Sequence, residues 1–213
     1  TRGNTVEFWL KKDGYDTLKT EKEVIFDAIV HGTSTGDADY GRLRIEIDNT
    51  SATPFYVSYG SGSRGIELSS IGSSAVTVDS VSDGKWHHYA FTFKYDSSLD
   101  VSFYDDGVFD SEKTNASSGL APVDGNIVAT IGSLASSTKA AGSAAIGYGK
   151  LTGSIDEFRF WKTARTAKQI GDNWLAQVGG GSNKHDSNVD LGVYFKFNEG
   201  VTGESTTDAV VLD

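Results

Sequence analysis

Residues 83–108 read DGKWHHYAFTFKYDSSLDVSFYDDGV, and the fold is decided here. The runs 85–95 and 99–105 alternate bulky apolar with polar residues, the period of two of a half-buried strand. Asp106-Gly107 puts glycine where a positive φ is needed, so 104–108 (YDDGV) reads as a hairpin loop with antiparallel register. Working outward, 5–12 (TVEFWLKK) alternates Val6, Phe8 and Leu10 with Glu7, Trp9 and Lys11. Similar runs occupy 22–30, 40–48, 54–59, 75–81, 126–132, 153–162 and 191–198. Short strands in this number, separated by turn signals such as Asp83-Gly84 and Asp124-Gly125, predict a sandwich or barrel. Only 164–178 (ARTAKQIGDNWLAQV) predicts a helix, with Thr166 as N-cap and Ile170, Trp174 and Val178 as an apolar stripe that closes one end of the sandwich. The organisation is a β-sandwich over 1–178, a Gly/Ser/Asn-rich connector over 179–190 and a strand-bearing segment, 191–213, that completes the sandwich or starts a following module.

Composition agrees with an all-β chain. The 25 glycines exceed the roughly 15 that average usage gives, and with 2 prolines they point to many tight turns. Four Trp, nine Tyr and eleven Phe supply the surface of a sizeable core, so the chain folds without staples. The absence of cysteine excludes a disulfide framework and a thiolate zinc site. A net charge of −10 argues against nucleic acid and anionic membrane as partners, because a phosphate-binding face needs clustered Lys and Arg. No apolar run approaches the roughly 18 residues of a membrane helix. The opening Thr-Arg-Gly-Asn has no signal-peptide core and leads almost directly into a strand, as in an excised fragment.

Three groups of residues carry chemical interest. Arg44, Glu46 and Asp48 share one face of a strand, opposite Leu43, Ile45 and Ile47. A retaining glycosidase needs two carboxyls about 5–5.5 Å apart, within reach of residues two apart on a strand. In GSIDEFRFW, Asp156 falls on the side of Phe158 and Phe160, so its carboxylate must be paired, capped or metal-bound. Calcium satisfies such a group with six to eight oxygens, and Asp37 and Asp39 of the loop Asp37-Ala38-Asp39 offer more; the alternative partners are loop amides or an arginine such as Arg42. Trp9 and Trp161 lie opposite the more apolar faces of their strands and, with Tyr56, Tyr59 and Tyr104, are the candidates for stacking on sugar rings; packing in the core is the competing role. His87 and His88, adjacent on a strand, point to opposite faces and do not chelate one ion together. No nucleophile elbow or phosphate loop is present. The loops 32–41, 60–65 and 133–149, rich in Gly, Ser and Ala, form the rim that borders any ligand site.

TVEFWLKKDG, DGKWHHYAFTF followed by VSFYDDGV, and GSIDEFRFWKTARTAKQI resemble, in order and spacing, the laminin-G-like and pentraxin-like branch of the concanavalin A-like lectin/glucanase superfamily. The likeness spans residues 5–175 and extends to modules of marine phage virion proteins. It implies a jelly-roll sandwich of two antiparallel sheets with one short helix, often with a rim calcium. LGVYFKFNEGVTGESTTD is similar to the strand that opens such domains in tandem arrays, whereas the usual leading strand before TVEFWLKK is missing. Glucanases on this fold carry carboxylates at alternating positions of a concave strand; here Thr50 stands where the third acid belongs, so the motif is incomplete and no catalytic residue is assigned. The expected function is non-catalytic glycan or cell-surface polysaccharide binding, or adhesion, by an extracellular or virion-surface module that packs against neighbouring modules. A structural spacer is the alternative and a glycoside hydrolase the third reading.

Overall fold

The computed structural model describes residues 3–15, 22–34, 36–116, 119–121, 123–135, 149–178 and 190–197. Among these, the strands are β1 (Gly3–Lys11), β2 (Glu23–Val30), β3 (Gly41–Ile47), β4 (Phe55–Ser61), β5 (Arg64–Ile71), β6 (Trp86–Tyr95), β7 (Leu99–Asp105), β8 (Val108–Asn115), β9 (Ile127–Ile131), β10 (Ser154–Trp161) and β11 (Leu191–Phe195). Helix α1 (Val78–Val81) precedes β6, and α2 (Ala167–Asn173) follows β10. A six-stranded sheet has the order β11-β10-β1-β6-β7-β8 and a five-stranded sheet the order β5-β4-β3-β2-β9. Every pairing is antiparallel. No helix among the described residues is long and apolar enough to cross a membrane.

The alternation read in the sequence places the core. Val6, Phe8 and Leu10 of β1, Tyr89, Phe91 and Phe93 of β6, and Val101 and Phe103 of β7 meet Leu43, Ile45 and Ile47 of β3 and Phe55 and Val57 of β4. Phe55 is the hub, with its ring 4.8, 5.5 and 5.2 Å from those of Tyr89, Phe91 and Phe103. Each such ring removes enough apolar surface from water to contribute about 1.5–3 kcal/mol, so the two sheets are clamped mainly by aromatic contact across the gap.

Two expectations are corrected. Residues 75–81 do not form a strand: Thr77 Oγ1 accepts from the Ser80 amide (3.2 Å) and Ser80 Oγ from the Thr77 amide (2.9 Å). This reciprocal capping box turns the chain into α1 and leaves Val76 and Val81 buried, so the described residues hold two helices rather than one. The interval 60–65 is not only a rim loop, because Ser61 pairs with Arg64 around a tight turn that opens β5. Neither β5 nor β8 was anticipated as a strand. Both lie at sheet ends, and their sequences RGIELSSI and VFDSEKTN lack the apolar alternation that a buried neighbour would impose. The connector 179–189, most of the loop 133–149 (residues 136–148) and the segment 198–213 lie outside the described residues.

Candidate functional site

Helix α2 creates the most distinctive surface. Thr166 caps it as expected, accepting from the Gln169 amide, while Ile170 packs against Ala90 and Tyr104 on the outer face of the six-stranded sheet. The helix ends at Trp174, whose ring stacks on Trp9 of β1 with centroids 5.4 Å apart and planes at 25°. His88 of β6 meets Trp9 edge-on at 5.7 Å. The close approach depends on the hairpin turn Asp106-Gly107: a Cβ on Gly107 would stand 2.4 Å from the Trp174 ring, and φ there is +77°. Trp86, two residues before His88 and so on the same face, is 42% exposed. Trp9, Trp174 and Trp86 thus belong to one outer face, at the end of the sheet where β1 stops and β6 starts.

The same end carries a carboxylate cluster. Antiparallel pairing of β6 with β7 brings residues 83–88 beside 105–107. His87 Nδ1 lies 3.1 Å from Asp106 Oδ2, and Nε2 lies 3.2 Å from Asp83 Oδ1. Ligand atoms of His87, Asp105 and Asp106 all lie within 4.8 Å of one another. Burial opposes a charge on His87, but Asp106 and Asp83 outweigh it and raise the imidazole above its ordinary value. Burial, with Asp106 adding to it, pushes the Asp105 carboxyl up to about 6. Asp105 Oδ1 is buried with no hydrogen-bond partner. Asp106 is anchored by the His88 amide (2.8 Å), so cluster and tryptophan ledge hang from the same stretch of backbone.

The anticipated residues are distributed unevenly around these features. Trp9 joins the ledge. Tyr56 stands half-buried on the far sheet, donating to Ser51 Oγ with the Lys22 ammonium over its ring. Tyr59 points inward, stacks on Phe93 at 5.0 Å and donates to Asn4 Oδ1. Tyr104 is buried under α2. Trp161 is 2% exposed, with the Arg165 guanidinium 4.2 Å from its ring. Residues 163–165 fold back on β1, where Thr5 Oγ1 donates to Thr163 O and accepts from the Arg165 amide, and so cover the face that was expected to be open. Tyr59, Tyr104 and Trp161 therefore present no free ring for stacking.

Asp37, Asp39 and Asp156 are not brought together; among the described residues the cluster with metal-ligand spacing is that of His87, Asp105 and Asp106. Asp37 Oδ2 caps the Ser34 amide in the β2–β3 loop, and Asp156 Oδ1 accepts from the Glu157 amide in β10. Arg42 pairs with Asp27 through two hydrogen bonds of 2.9 and 2.8 Å rather than with Asp156. Glu46 is fully buried and bound to Arg44 Nε at 2.9 Å, and Asp48 closes its own turn on Thr50 while holding Lys22.

Trp86 and Trp174 stood behind Trp9 and Trp161 as stacking candidates, and Asp83, Asp105 and Asp106 entered only as turn residues. The available signal was the pair of Asp-Gly turns at 83–84 and 106–107. They flank one hairpin, and antiparallel pairing necessarily puts them at the same end.

The family model for laminin-G-like domains of the concanavalin A-like lectin/glucanases superfamily matches residues 1–171. The chain belongs to this superfamily. No curated protein matches the sequence. Among solved structures, this laminin-G-like chain is similar to a candidate carbohydrate-binding protein from Bacteroides ovatus, with 18% identity, a TM-score of 0.54 and coverage of 96% of this chain and 48% of that one. The chain thus spans about half the length of that protein. It is also similar to a pentraxin from Limulus polyphemus (15% identity, TM-score 0.42, 80% and 68% covered). A further match is the enzymatically active domain of tailspike protein 2 of bacteriophage CBA120 (14% identity, TM-score 0.45, 93% and 27% covered). At these identities the likeness is one of fold.

Proposed function

We propose that this laminin-G-like sandwich is a non-catalytic carbohydrate-binding or adhesion module of a larger surface or virion protein. The observation that carries the reading is the Trp9–Trp174 stack with Trp86 on the same outer face, at the end of the sheet whose opposite side holds the cluster of His87, Asp105 and Asp106. Flat indole surfaces suit the apolar face of a pyranose. Calcium fits the same rim: Asp105 and Asp106 offer hard oxygen donors, and Asp105 Oδ1 is a buried oxygen that lacks a partner. Bound there, the ion would supply charge neutralisation and open coordination positions for sugar hydroxyls. His87 then orients Asp106 and Asp83. A non-catalytic role is supported by Glu46, sealed from solvent against Arg44, and by Asp48, engaged with Thr50 and Lys22.

A glycan array, followed by titration calorimetry on any sugar retained, tests the reading. Trp86→Ala is expected to weaken binding at least tenfold, a loss of about 1.4 kcal/mol, with little change in melting temperature. An array without retained sugars, or binding untouched by Trp86→Ala and Trp9→Ala, would overturn it. Calcium is tested separately by melting in EDTA and in added calcium, where a ligand bound only to the folded chain raises the apparent stability; an identical midpoint in both removes the ion from the proposal.

A further inference from the structure

Helix α2 holds its end with little apolar contact of its own. It runs for seven residues, of which Ile170 is the buried one, and a helix so short is marginal in water without tertiary contacts. Beyond it Leu175 is 72% exposed, and Ala176 and Gln177 are exposed as well. Yet this stretch carries Trp174, whose indole must stay within 5.4 Å of that of Trp9 for the ledge to exist. The last turn of the helix also has carbonyls to satisfy and no basic residue of its own to do so.

Arg159 of β10 supplies what α2 lacks. Its guanidinium donates from Nη1 to Asn173 O (3.4 Å) and from Nη2 to Ala176 O (2.6 Å), so the fork grips the chain on both sides of Trp174. Arg159 pairs with Glu7 of β1, two residues before Trp9, and the grip therefore ties Trp174 to the strand that carries its stacking partner. The fork is itself held. Glu157 Oε2 accepts from Nη2 at 3.0 Å, the Tyr194 hydroxyl donates to the same oxygen, and the guanidinium carbon lies 5.5 Å from the centre of the Tyr194 ring. Glu157 Oε1 accepts from Gln177 Nε2 (3.4 Å), a second tie to the stretch that follows α2. Glu157 has a φ of +50°, at the bulge where the β1–β10 register shifts. A non-glycine residue there is strained and persists only where its surroundings hold it, as these contacts do.

We infer that Arg159 is a positioning residue for the tryptophan ledge, held in place by Glu157 and Tyr194 and fixing Trp174 on Trp9 through the carbonyls of Asn173 and Ala176. Its consequence for ligand binding rests on the glycan reading above; its effect on the indole pair does not. Arg165, the other guanidinium paired with Glu7, reaches α2 at Gln169 O, ahead of the turn that carries Trp174, so the two arginines have separate roles.

The test uses the whole chain. Stacked indoles couple their transitions and give a paired positive and negative band in far-ultraviolet circular dichroism, which Trp174→Phe identifies by removing it. Arg159→Met and Arg159→Lys are each expected to lose most of this couplet, because a single ammonium does not serve two carbonyls and a carboxylate in the geometry of the fork. Arg165→Met, which removes a second buried guanidinium from the same glutamate, is expected to keep it. Tyr194→Phe, which leaves the fork in place without one of its supports, is expected to lose part of it. Any sugar retained on an array should bind Arg159→Lys about tenfold more weakly, on the scale of losing one aromatic anchor. A couplet unchanged in Arg159→Met, retained in full by Arg159→Lys, or lost equally in Arg165→Met would overturn the assignment, the last by reducing the effect to loss of any buried cation. A couplet lost in both Arg159 variants while sugar affinity survives, or while no sugar is retained at all, would remove the ledge as the glycan site and uphold Arg159 as the residue that positions Trp174.

Discussion

Glu7 and Glu46 are both fully buried, each on the outer face of its sheet, yet their carboxyls move in opposite directions. Around Glu7, burial pushes the carboxyl up, but His88, Arg165 and Arg159 together overcome it and hold the group below its ordinary value. Arg165 Nη1 lies 2.5 Å from Oε1, and His88 Nε2 and Arg159 Nη1 stand 3.5 and 3.8 Å from Oε2. Around Glu46, burial dominates and the carboxyl rises to about 7, because Arg44 is its close partner and Lys22 acts only from a distance. Arg44 is itself held down, by burial and by its neighbour Arg42. Both networks are incompletely satisfied: Oε1 of Glu46 and Nη1 of Arg44 have no hydrogen-bond partner, and neither do Oε2 of Glu7 and Nε of Arg159. The difference teaches that depth alone does not set the charge state of a buried carboxylate. The closeness and number of the donors and cations that converge on it matter as well.

The comparison breaks most visibly at Glu7. Glu7→Gln leaves Arg165 buried without its counter-ion, while Arg159 keeps Glu157 at 3.0 Å, and the expected loss is about 3–5 kcal/mol. In a chain of this size that lowers the melting temperature by roughly 6–20 °C in calorimetry. A loss below about 1 kcal/mol would mean that the contacts of Arg159 with Ala176 O and of Arg165 with Gln169 O satisfy the arginines without Glu7.

The second expected effect is a pH slope. The folded-state carboxyl of Glu46, at about 7, lies above its unfolded value of 4.5, so the native state holds the extra proton between these limits. Its contribution is fully present below pH 4.5 and is lost as the pH rises through 7, on the order of 1–3 kcal/mol. Glu7 runs the other way: its contribution is present above pH 4.5 and lost as the pH falls through its depressed folded value. Denaturant unfolding of Glu46→Gln between pH 5 and 8 should show a flatter profile than the parent. Parallel profiles would place the charge of Glu46 outside the stability balance.

The smallest effect is expected where the whole pair is removed. Arg44→Met combined with Glu46→Leu should leave stability within about 1 kcal/mol of the parent, or raise it, because an incompletely satisfied buried ion pair returns little beyond its desolvation cost. Arg165→Met with Glu7→Leu should remain destabilised, since the Arg165 contacts with Gln169 O and the Trp161 ring are lost with the pair, although Arg159 keeps Glu157. Equal outcomes for the two double variants would remove the distinction between the networks.

The legibility of this molecule in its sequence follows the same division. The core faces of β1, β3 and β6 and the cap of α2 at Thr166 were readable, because alternation and capping are local and depend on residues a few positions apart. Trp9 was identified as outward and does face away from the core; its partner Trp174 was placed on the helix stripe. Trp161 was misplaced because nothing near it in sequence announces that Arg165 will lie over its ring. The acidic cluster was missed because His87 and Asp106 are 19 positions apart and meet only through the β6–β7 register.

By itself, the sequence determined that the chain is a two-sheet β-sandwich, which side of each strand faces the aromatic core, and where the single long helical turn signal begins. Only the tertiary structure decided what covers the other side. Alternation with a period of two tells which face a side chain occupies, but the fate of the second face depends on elements that arrive from far along the chain. Helix α2 and residues 163–165 bury Glu7 and Trp161, Ala135 donates its amide to Asp27 on the far sheet, and Trp86 stays in water. Those long-range coverings set the charge of each buried carboxylate and choose which tryptophans remain available to a ligand.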